Sequence, residues 1–517
     1  MSDQSLQIIA LVVYFAVMIS IGFYAYRKTV DHEGYMLAGR QLPPWTAALS
    51  AGASDMSGWL MMGLPGAIYA AGLIEAWIAI GLTIGAYLNW RFVAPRLRAY
   101  TEVAQNSITI PSFFENRLHD GSRALRVVSG VIVLVFFTFY VSSMMVAGGE
   151  FFRLAFDTPY LTGMLIVAAV TLVYTLIGGF LGASLTDVVQ GTMMLLALLI
   201  VPIIAMFAIG GLGDTAEAIR EVDPSRLSLL AGGSLTAATL VGIISAAAWG
   251  LGYFGQPHII VRFMAMRSAA SAGPARRIGM TWMILSLLGA VACGLVGIGY
   301  FHRTGNDLGN PEHVVLALSQ LLLHPLIVGF VFAAVLAAIM STVSSQLIVS
   351  SSAFVEDLYK VFGRETSERG LLMLGRLCVL VVAVIAGLLA ITPSGTILEL
   401  VAFAWAGFGA SFGPAILLCL FWRKLSNWGA LAGMIAGAVT VVLWSEFGPD
   451  IYGVSLYEIV PGFIVNVVVS VVVSLLTYTP NAEMSREFDR AVELAGAKKD
   501  ATADAGPSSP PHAGINA

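Results

Sequence analysis

The chain has 517 residues, 58% of them hydrophobic and only 11% charged, against roughly 25% charged in soluble domains. Mean hydropathy is +0.84, and apolar runs long enough to cross a bilayer recur along nearly the whole length. This argues against a soluble domain and against a nucleic-acid-binding protein, and for an all-α polytopic membrane protein.

Hydropathy predicts about thirteen spans, near 6–27, 42–71, 74–97, 124–155, 159–180, 186–211, 234–262, 275–301, 325–352, 371–391, 396–422, 427–446 and 454–478. The first is too long for the apolar core of a signal peptide and lacks a small-residue cleavage site. With the N-terminus outside, 23 of the 27 Lys and Arg fall in loops on the inner side; only Arg153, Arg220, Arg226 and Arg303 do not. That asymmetry predicts an external N-terminus and a cytoplasmic C-terminus. Cys293, Cys378 and Cys419 lie inside apolar segments with no metal-ligand spacing and read as small core residues.

The second span is the unusual one. Its stretch Ser50–Gly66 holds Asp55, three serines, four glycines and Pro65. An ionisable group at bilayer depth is costly and commonly marks an ion or substrate path. Glycine and proline interrupt the helical ladder, and backbone groups freed inside a membrane need a cavity, an ion or a ligand. Asp55 therefore marks a candidate binding site at a broken helix. The alternative is a structural carboxylate bonded to a neighbouring serine.

A second interrupted span, 245–263, mixes Trp249, Tyr253, Gln256, Pro257 and His258 with three glycines. It is the seventh span, five after the first broken one. Paired interruptions at corresponding positions point to a transporter built from two repeats, near 42–211 and 234–422, with its site where the broken helices meet. Glycines that merely let membrane helices pack closely are the competing account. The span 325–352 carries a third polar cluster. Ala338, Ser341 and Thr342 sit at i, i+3 and i+4 on one helix face. One carbonyl and two hydroxyls there supply half of an oxygen cage for a hard cation such as Na⁺. Serine and threonine bonding back to their own helix explain the same residues.

The external segment 302–324 has a helical apolar pattern (Val314, Val315, Leu318, Leu321, Leu322) and is expected to lie across the outer face. Residues 1–480 form the transmembrane domain. Residues 481–517 are expected to be a largely disordered cytoplasmic tail, the Ala-, Pro- and Ser-rich end most of all.

With these clusters in view, the chain resembles the sodium:solute symporter family over about residues 5–480, and most closely its bacterial proline-transporting members. The blocks that carry the resemblance are Leu49–Gly66, Trp249–His258, Ala338–Ser345, Glu356–Tyr359, Ala404–Pro414 and Asn427–Gly433. It implies a five-plus-five inverted-repeat fold, one helix before the repeats and two after, with discontinuous helices 2 and 7. It implies Na⁺ ligation by backbone oxygens of Ala53, Met56 and Ala338 and hydroxyls of Ser341 and Thr342, with Asp55 beside them. For substrate it implies Ser57, Gly58, Trp59, Tyr140, Trp249, Tyr253 and Pro257. Trp249 and Tyr253, at i and i+4, would present a flat wall to a pyrrolidine ring.

Asp187 stands on the ion-exit route in the family. As an acid in the first turn of a predicted helix it is equally read as complementing the helix dipole. Arg40 at the inner mouth and Glu75 at an outer turn are left without a role. The expected function is Na⁺-coupled uptake of L-proline across a bacterial inner membrane. A sodium symporter for another small carboxylate or a vitamin acid such as pantothenate is the runner-up. Na⁺, L-proline and the bilayer are the expected partners, with no organic cofactor, no enzyme activity and no obligate protein partner.

Overall fold

A computed structural model describes residues 2–28, 37–230, 235–362, 366–393 and 395–496. Arg364, Lys498 and Lys499, counted above as inner-loop charges, and the expected disordered stretch 497–517 lie outside these residues.

The chain opens with α1 (Asp3–Lys28) and then the first broken span. Its pieces are α2 (Pro44–Asp55) and, after Met56-Ser57-Gly58, a π-helical turn Trp59–Gly63 leading into α3 (Leu64–Ala71). Pro44 sits at the start of α2 and Pro65 at the start of α3, where a missing amide proton costs nothing. Next come α4 (Ala76–Leu88) and α5 (Ala94–Val103), joined by the π turn Asn89–Val93 into one span, and the short α6 (Ile110–Leu118). α7 (Ala124–Phe156) and α8 (Tyr160–Ala208) follow. An unbroken helix of the 49 residues of α8 would run about 73 Å, over twice the hydrocarbon thickness. Gly179, at φ 57° and ψ −161°, divides it into two spans, since only glycine adopts that backbone cheaply. α9 (Leu212–Val222) is a short helix that follows α8.

The second half repeats this order. Its broken span is α10 (Ala237–Ala247), a 3₁₀ stretch Ala248–Phe254, then α11 (Pro257–Met264). α12 (Ala272–Thr304), the short α13 (Val314–Leu322), α14 (Pro325–Ser352), α15 (Glu368–Leu389) and α16 (Ile397–Phe421) complete it. Each half thus runs broken span, long span, short surface helix, three spans. α17 (Asn427–Phe447), a two-residue β-hairpin (Asp450–Ile451 with Val454–Ser455) and α18 (Ile459–Thr477) close the membrane part.

Among the described residues eleven helices are long and apolar enough to span a membrane. The expected thirteen are reached only by splitting α8 at Gly179 and adding the two-piece span α2–α3. α14 and α16 are the most buried spans, while α1, α17 and α18 expose Val12, Val13, Val439, Leu443, Ile464 and Val468 on outward faces. The breaks themselves, at 56–59 and 249–256, are largely buried within the bundle, although α10 leading into the second has no buried residue. The three cysteines are free and buried, as expected.

The described part of the tail 481–517 begins with a helix, α19 (Ala482–Gly496). It buries Phe488 and Ala491 against the bundle, with Phe488 beneath the guanidinium groups of Arg96, Arg117 and Arg423. Its amphipathic pattern is too short and charged for a hydropathy window to register. The segment 302–324 does carry a helix, α13, which buries Val314, Val315 and Leu318 and exposes Leu321.

Candidate functional site

α2 ends because Met56 leaves helical geometry (φ −74°, ψ 79°). The last carbonyls of a helix have no amide partner four residues on, and at a half-helix C-terminus they carry partial negative charge. Other groups take them up. The Asp55 carbonyl accepts the Trp59 indole N–H (3.0 Å), and the Ala53 carbonyl accepts the Ser341 hydroxyl (2.8 Å). That second bond crosses from α2 to α14. Ser341 also reaches the Ala338 carbonyl at 3.1 Å, and Thr342 reaches the same oxygen at 3.2 Å. Four oxygens from two helices, Ala53 O, Ala338 O, Ser341 Oγ and Thr342 Oγ1, are thus gathered at one point. Two of these bonds are the back-bonds expected of serine and threonine in any membrane helix. The link to Ala53 is not. Met56 stands at the break and is fully buried.

Asp55 is 1% exposed. One carboxylate oxygen accepts the Tyr253 hydroxyl, and the other has no hydrogen-bond partner among the described residues. Among the described residues no cationic side chain pairs with it. One neutral donor and an orphan oxygen make a poor home for a lone charge and a good one for a cation seated beside it.

Tyr253 belongs to the second break, where α10 loosens into 3₁₀ turns and restarts at Pro257. The rings of Trp59 and Trp249 approach to 6.0 Å across the two breaks. Trp249 stacks on Trp405 (6.2 Å) and Tyr457 (5.5 Å), and Tyr253 meets Trp405 edge-on at 5.3 Å. This aromatic wall stands over the Asp55 carboxylate. Ser57 is buried at the first break, and Gly58 is pressed against α7, where an added methyl would come within 3.1 Å of Ala147. The Tyr140 ring meets His258 edge-on at 6.0 Å, and its hydroxyl is buried near Ser57 and Trp59. Pro257 lies beyond the Gly255–Gln256 break and borders a small cavity with Thr109, Ile110, Val261, Ile348 and Ser352.

Asp187 is the other fully buried carboxylate near the breaks. It sits well inside α8, past the Gly179 kink, so the first-turn dipole reading does not describe it. Its Oδ2 accepts Ser50 Oγ at 2.6 Å and Arg262 Nη2 at 3.1 Å. Arg262 also donates to Ser50 Oγ (3.0 Å), Ser345 Oγ (2.6 Å) and the His258 carbonyl (2.5 Å). The sequence reading placed Arg262 in an inner loop; the structure buries it completely on α11.

A profile of the sodium:solute symporter family matches residues 35–437. The chain belongs to that family. It is 54% identical to the high-affinity proline transporter PutP of Bacillus subtilis strain 168, over 91% of this chain and 98% of that one. It is 51% identical to the osmoregulated proline transporter OpuE of the same strain, over 95% and 99%. Its fold matches a Na⁺-coupled sialic acid symporter described as substrate-bound and outward-open, with a TM-score of 0.79 at 19% identity, covering 92% of this chain and 99% of that one.

The symporter is thus a multi-pass α-helical membrane protein. Of the residues picked from its sequence, the structure brings Ala53, Ala338, Ser341 and Thr342 into one cluster, and Asp55, Trp59, Trp249 and Tyr253 into its neighbour. Asp187 forms a separate ion pair and Pro257 borders a separate cavity. Arg40 is buried and donates to Thr101 Oγ1 (3.1 Å), the Ser107 carbonyl (2.5 Å) and the Met264 carbonyl (3.4 Å), tying the approach to α2 onto α5 and the end of α11. Glu75 is half-buried at the 3₁₀ turn Leu73–Glu75. Sequence reasoning missed Arg262, Ser50, Ser345, Asn89 and Trp405. Arg262 was legible in principle, one turn after His258 in the second interrupted span. Asn89 and Trp405 carry no such mark, being single residues inside apolar helices.

Proposed function

We propose that this symporter couples inward Na⁺ movement to uptake of L-proline by alternating access, in a bacterial cytoplasmic membrane with the N-terminus outside. One observation carries the reading. A buried, unpaired Asp55 stands between an oxygen cluster from α2 and α14 and an aromatic wall from the two breaks. Ala53, Met56, Ala338, Ser341 and Thr342 supply uncharged oxygens for Na⁺, and Asp55 supplies the charge. Neutral oxygens suit a hard monovalent cation that must leave in every cycle. Trp59, Trp249 and Tyr253 supply the flat apolar surface for a pyrrolidine ring, with Ser57, Gly58 and Tyr140 around it. The unwound backbone after α2 offers amide donors to a carboxylate. The names of the B. subtilis relatives support proline over other small acids. No enzyme chemistry is assigned to the site, and no organic cofactor is needed.

Labelled proline uptake into vesicles, with and without an inward Na⁺ gradient, tests the reading. We expect accumulation only with the gradient. Uptake indifferent to sodium overturns the coupling, and pantothenate outcompeting proline overturns the substrate.

A further inference from the structure

The seven-residue 3₁₀ stretch Ala248–Phe254 is longer than such turns usually run, because their hydrogen bonds are strained. Inside a membrane its freed carbonyls also need donors. Two side chains from other helices supply them. The Trp405 indole N–H donates to the Trp249 carbonyl at 2.8 Å, and Asn89 Nδ2 donates to the Tyr253 carbonyl at 2.8 Å. The carbonyls held are those of the two residues whose rings build the wall. The grip of Trp405 goes further. Gln256, at the far end of the stretch, donates to the Trp405 carbonyl at 3.0 Å. The Trp405 indole fills the space a side chain at residue 252 would need, since a Cβ on Gly252 would fall 1.9 Å from its nitrogen. Its ring stacks on Trp249 and meets Tyr253 edge-on. Trp249, Gly252, Tyr253 and Gln256 are thus all held by one side chain and its own carbonyl.

We propose that Trp405 is a positioning residue that moulds the unwound segment 249–256 and so fixes where Trp249 and Tyr253 meet the solute. Trp405 is fully buried and its one side-chain polar atom is already engaged. It therefore acts through its neighbours and not by a polar contact of its own. Its role as a determinant of solute affinity rests on the wall facing the solute, as proposed above; its hold on the backbone does not. Substituents on this wall should change how well the solute fits, while the oxygen cluster on α2 and α14 stays as it is.

The test removes the N–H and keeps the ring. Trp405→Phe shortens the side chain, so a second variant carries benzothienylalanine at residue 405, which preserves the indole outline and replaces N–H with sulfur. Asn89→Ala is made in parallel. Two readouts are taken on purified, full-length protein of normal yield. In hydrogen exchange, we expect the amides of 248–256 to exchange at least tenfold faster in the residue-405 variants, with 44–55 unchanged. In sodium-driven uptake, we expect the half-saturating proline concentration to rise about tenfold (about 1.4 kcal/mol). The maximal rate, and the sodium dependence at saturating proline, should stay near wild type. A merely structural tryptophan lowers yield or melting temperature without moving either readout selectively. If the isostere leaves exchange at 248–256 unchanged, the inference is overturned; if exchange rises while proline half-saturation in a transporting protein does not, its affinity role is overturned. A wild type that takes up no proline overturns the substrate reading instead, and the exchange measurement still decides whether Trp405 holds the segment.

Discussion

Asp55 and Asp187 are both buried, and each leaves one oxygen without a hydrogen bond among the described residues. They differ in what stands opposite. Asp187 faces the Arg262 guanidinium and the Ser50 hydroxyl. Asp55 faces one phenol. A buried carboxylate with a fixed cation is complete within the protein. One without is either an expensive defect or a group completed by something that comes and goes. On the function proposed above, the same residue type is a fixed ion pair at one point and a cation site at the other, and burial alone does not tell them apart.

The largest expected effect breaks the ion pair. We predict that Arg262→Leu, which strands Asp187, costs about 3–5 kcal/mol of stability and shows as a large drop in yield and melting temperature. Arg262→Leu with Asp187→Leu should regain much of that loss, because replacing a whole buried pair by apolar groups is far cheaper than removing half of it. A single variant as stable as wild type would mean that Asp187, like Asp55, has its charge balanced from elsewhere.

The complementary change should do the opposite. We predict that Asp55→Asn leaves the protein in the membrane at near-normal stability, since no fixed cation is stranded. Sodium-driven uptake should fall by about 100-fold. The charge of a hydrogen-bonded carboxylate is worth about 1.5–3 kcal/mol to a partner, or roughly 10–150-fold in affinity, and coupling carries that loss to the solute. Near-normal uptake by this variant would return Asp55 to the structural reading.

These two carboxylates also show where sequence reading stops. Asp55 was legible because glycines, serines and a proline surround it in an apolar run; the signal is local. The identity of its partner was not, since Tyr253 lies 198 positions away. Arg262 was counted with the loop charges because positive residues near a predicted span end usually lie there, and only the fold shows α11 carrying it inward. The kink at Gly179 was half legible. Hydropathy separated 159–180 from 186–211, yet the chain makes the break with one left-handed glycine rather than a loop. Repeat order emerged from two interruptions five spans apart. Trp405 and Asn89 stayed hidden because their work is to hold a carbonyl in another helix, and nothing in their own neighbourhood announces it.

A smaller effect sharpens the cation side. We predict that Ser341→Ala and Thr342→Ala each raise the sodium needed for half-maximal transport about three- to tenfold, for a neutral ligand worth about 1 kcal/mol. Alanine keeps the helix, so folding should survive. Proline binding should weaken at low sodium and recover at saturating sodium, because coupling is reciprocal. An unchanged sodium titration in both variants would leave the hydroxyls as back-bonds and no more.

The smallest expected effect lies at the join between the two sides of the site. Tyr253 carries a ring on the aromatic wall and a hydroxyl on Asp55. Tyr253→Phe removes only the hydroxyl. The carboxylate then loses the donor that orients it, while the ring keeps its edge against Trp405. We predict a two- to fivefold rise in half-saturating sodium, within what one hydrogen bond contributes, and almost no change in half-saturating proline once sodium saturates. Tyr253→Ala removes both functions and should raise the half-saturating proline concentration strongly at any sodium concentration. The pair of variants separates what the sequence left joined: a wall residue that touches solute, and a donor that holds the cation's carboxylate. Should the phenylalanine variant shift proline and leave sodium untouched, the hydroxyl belongs to the solute site and Asp55 is oriented by something else.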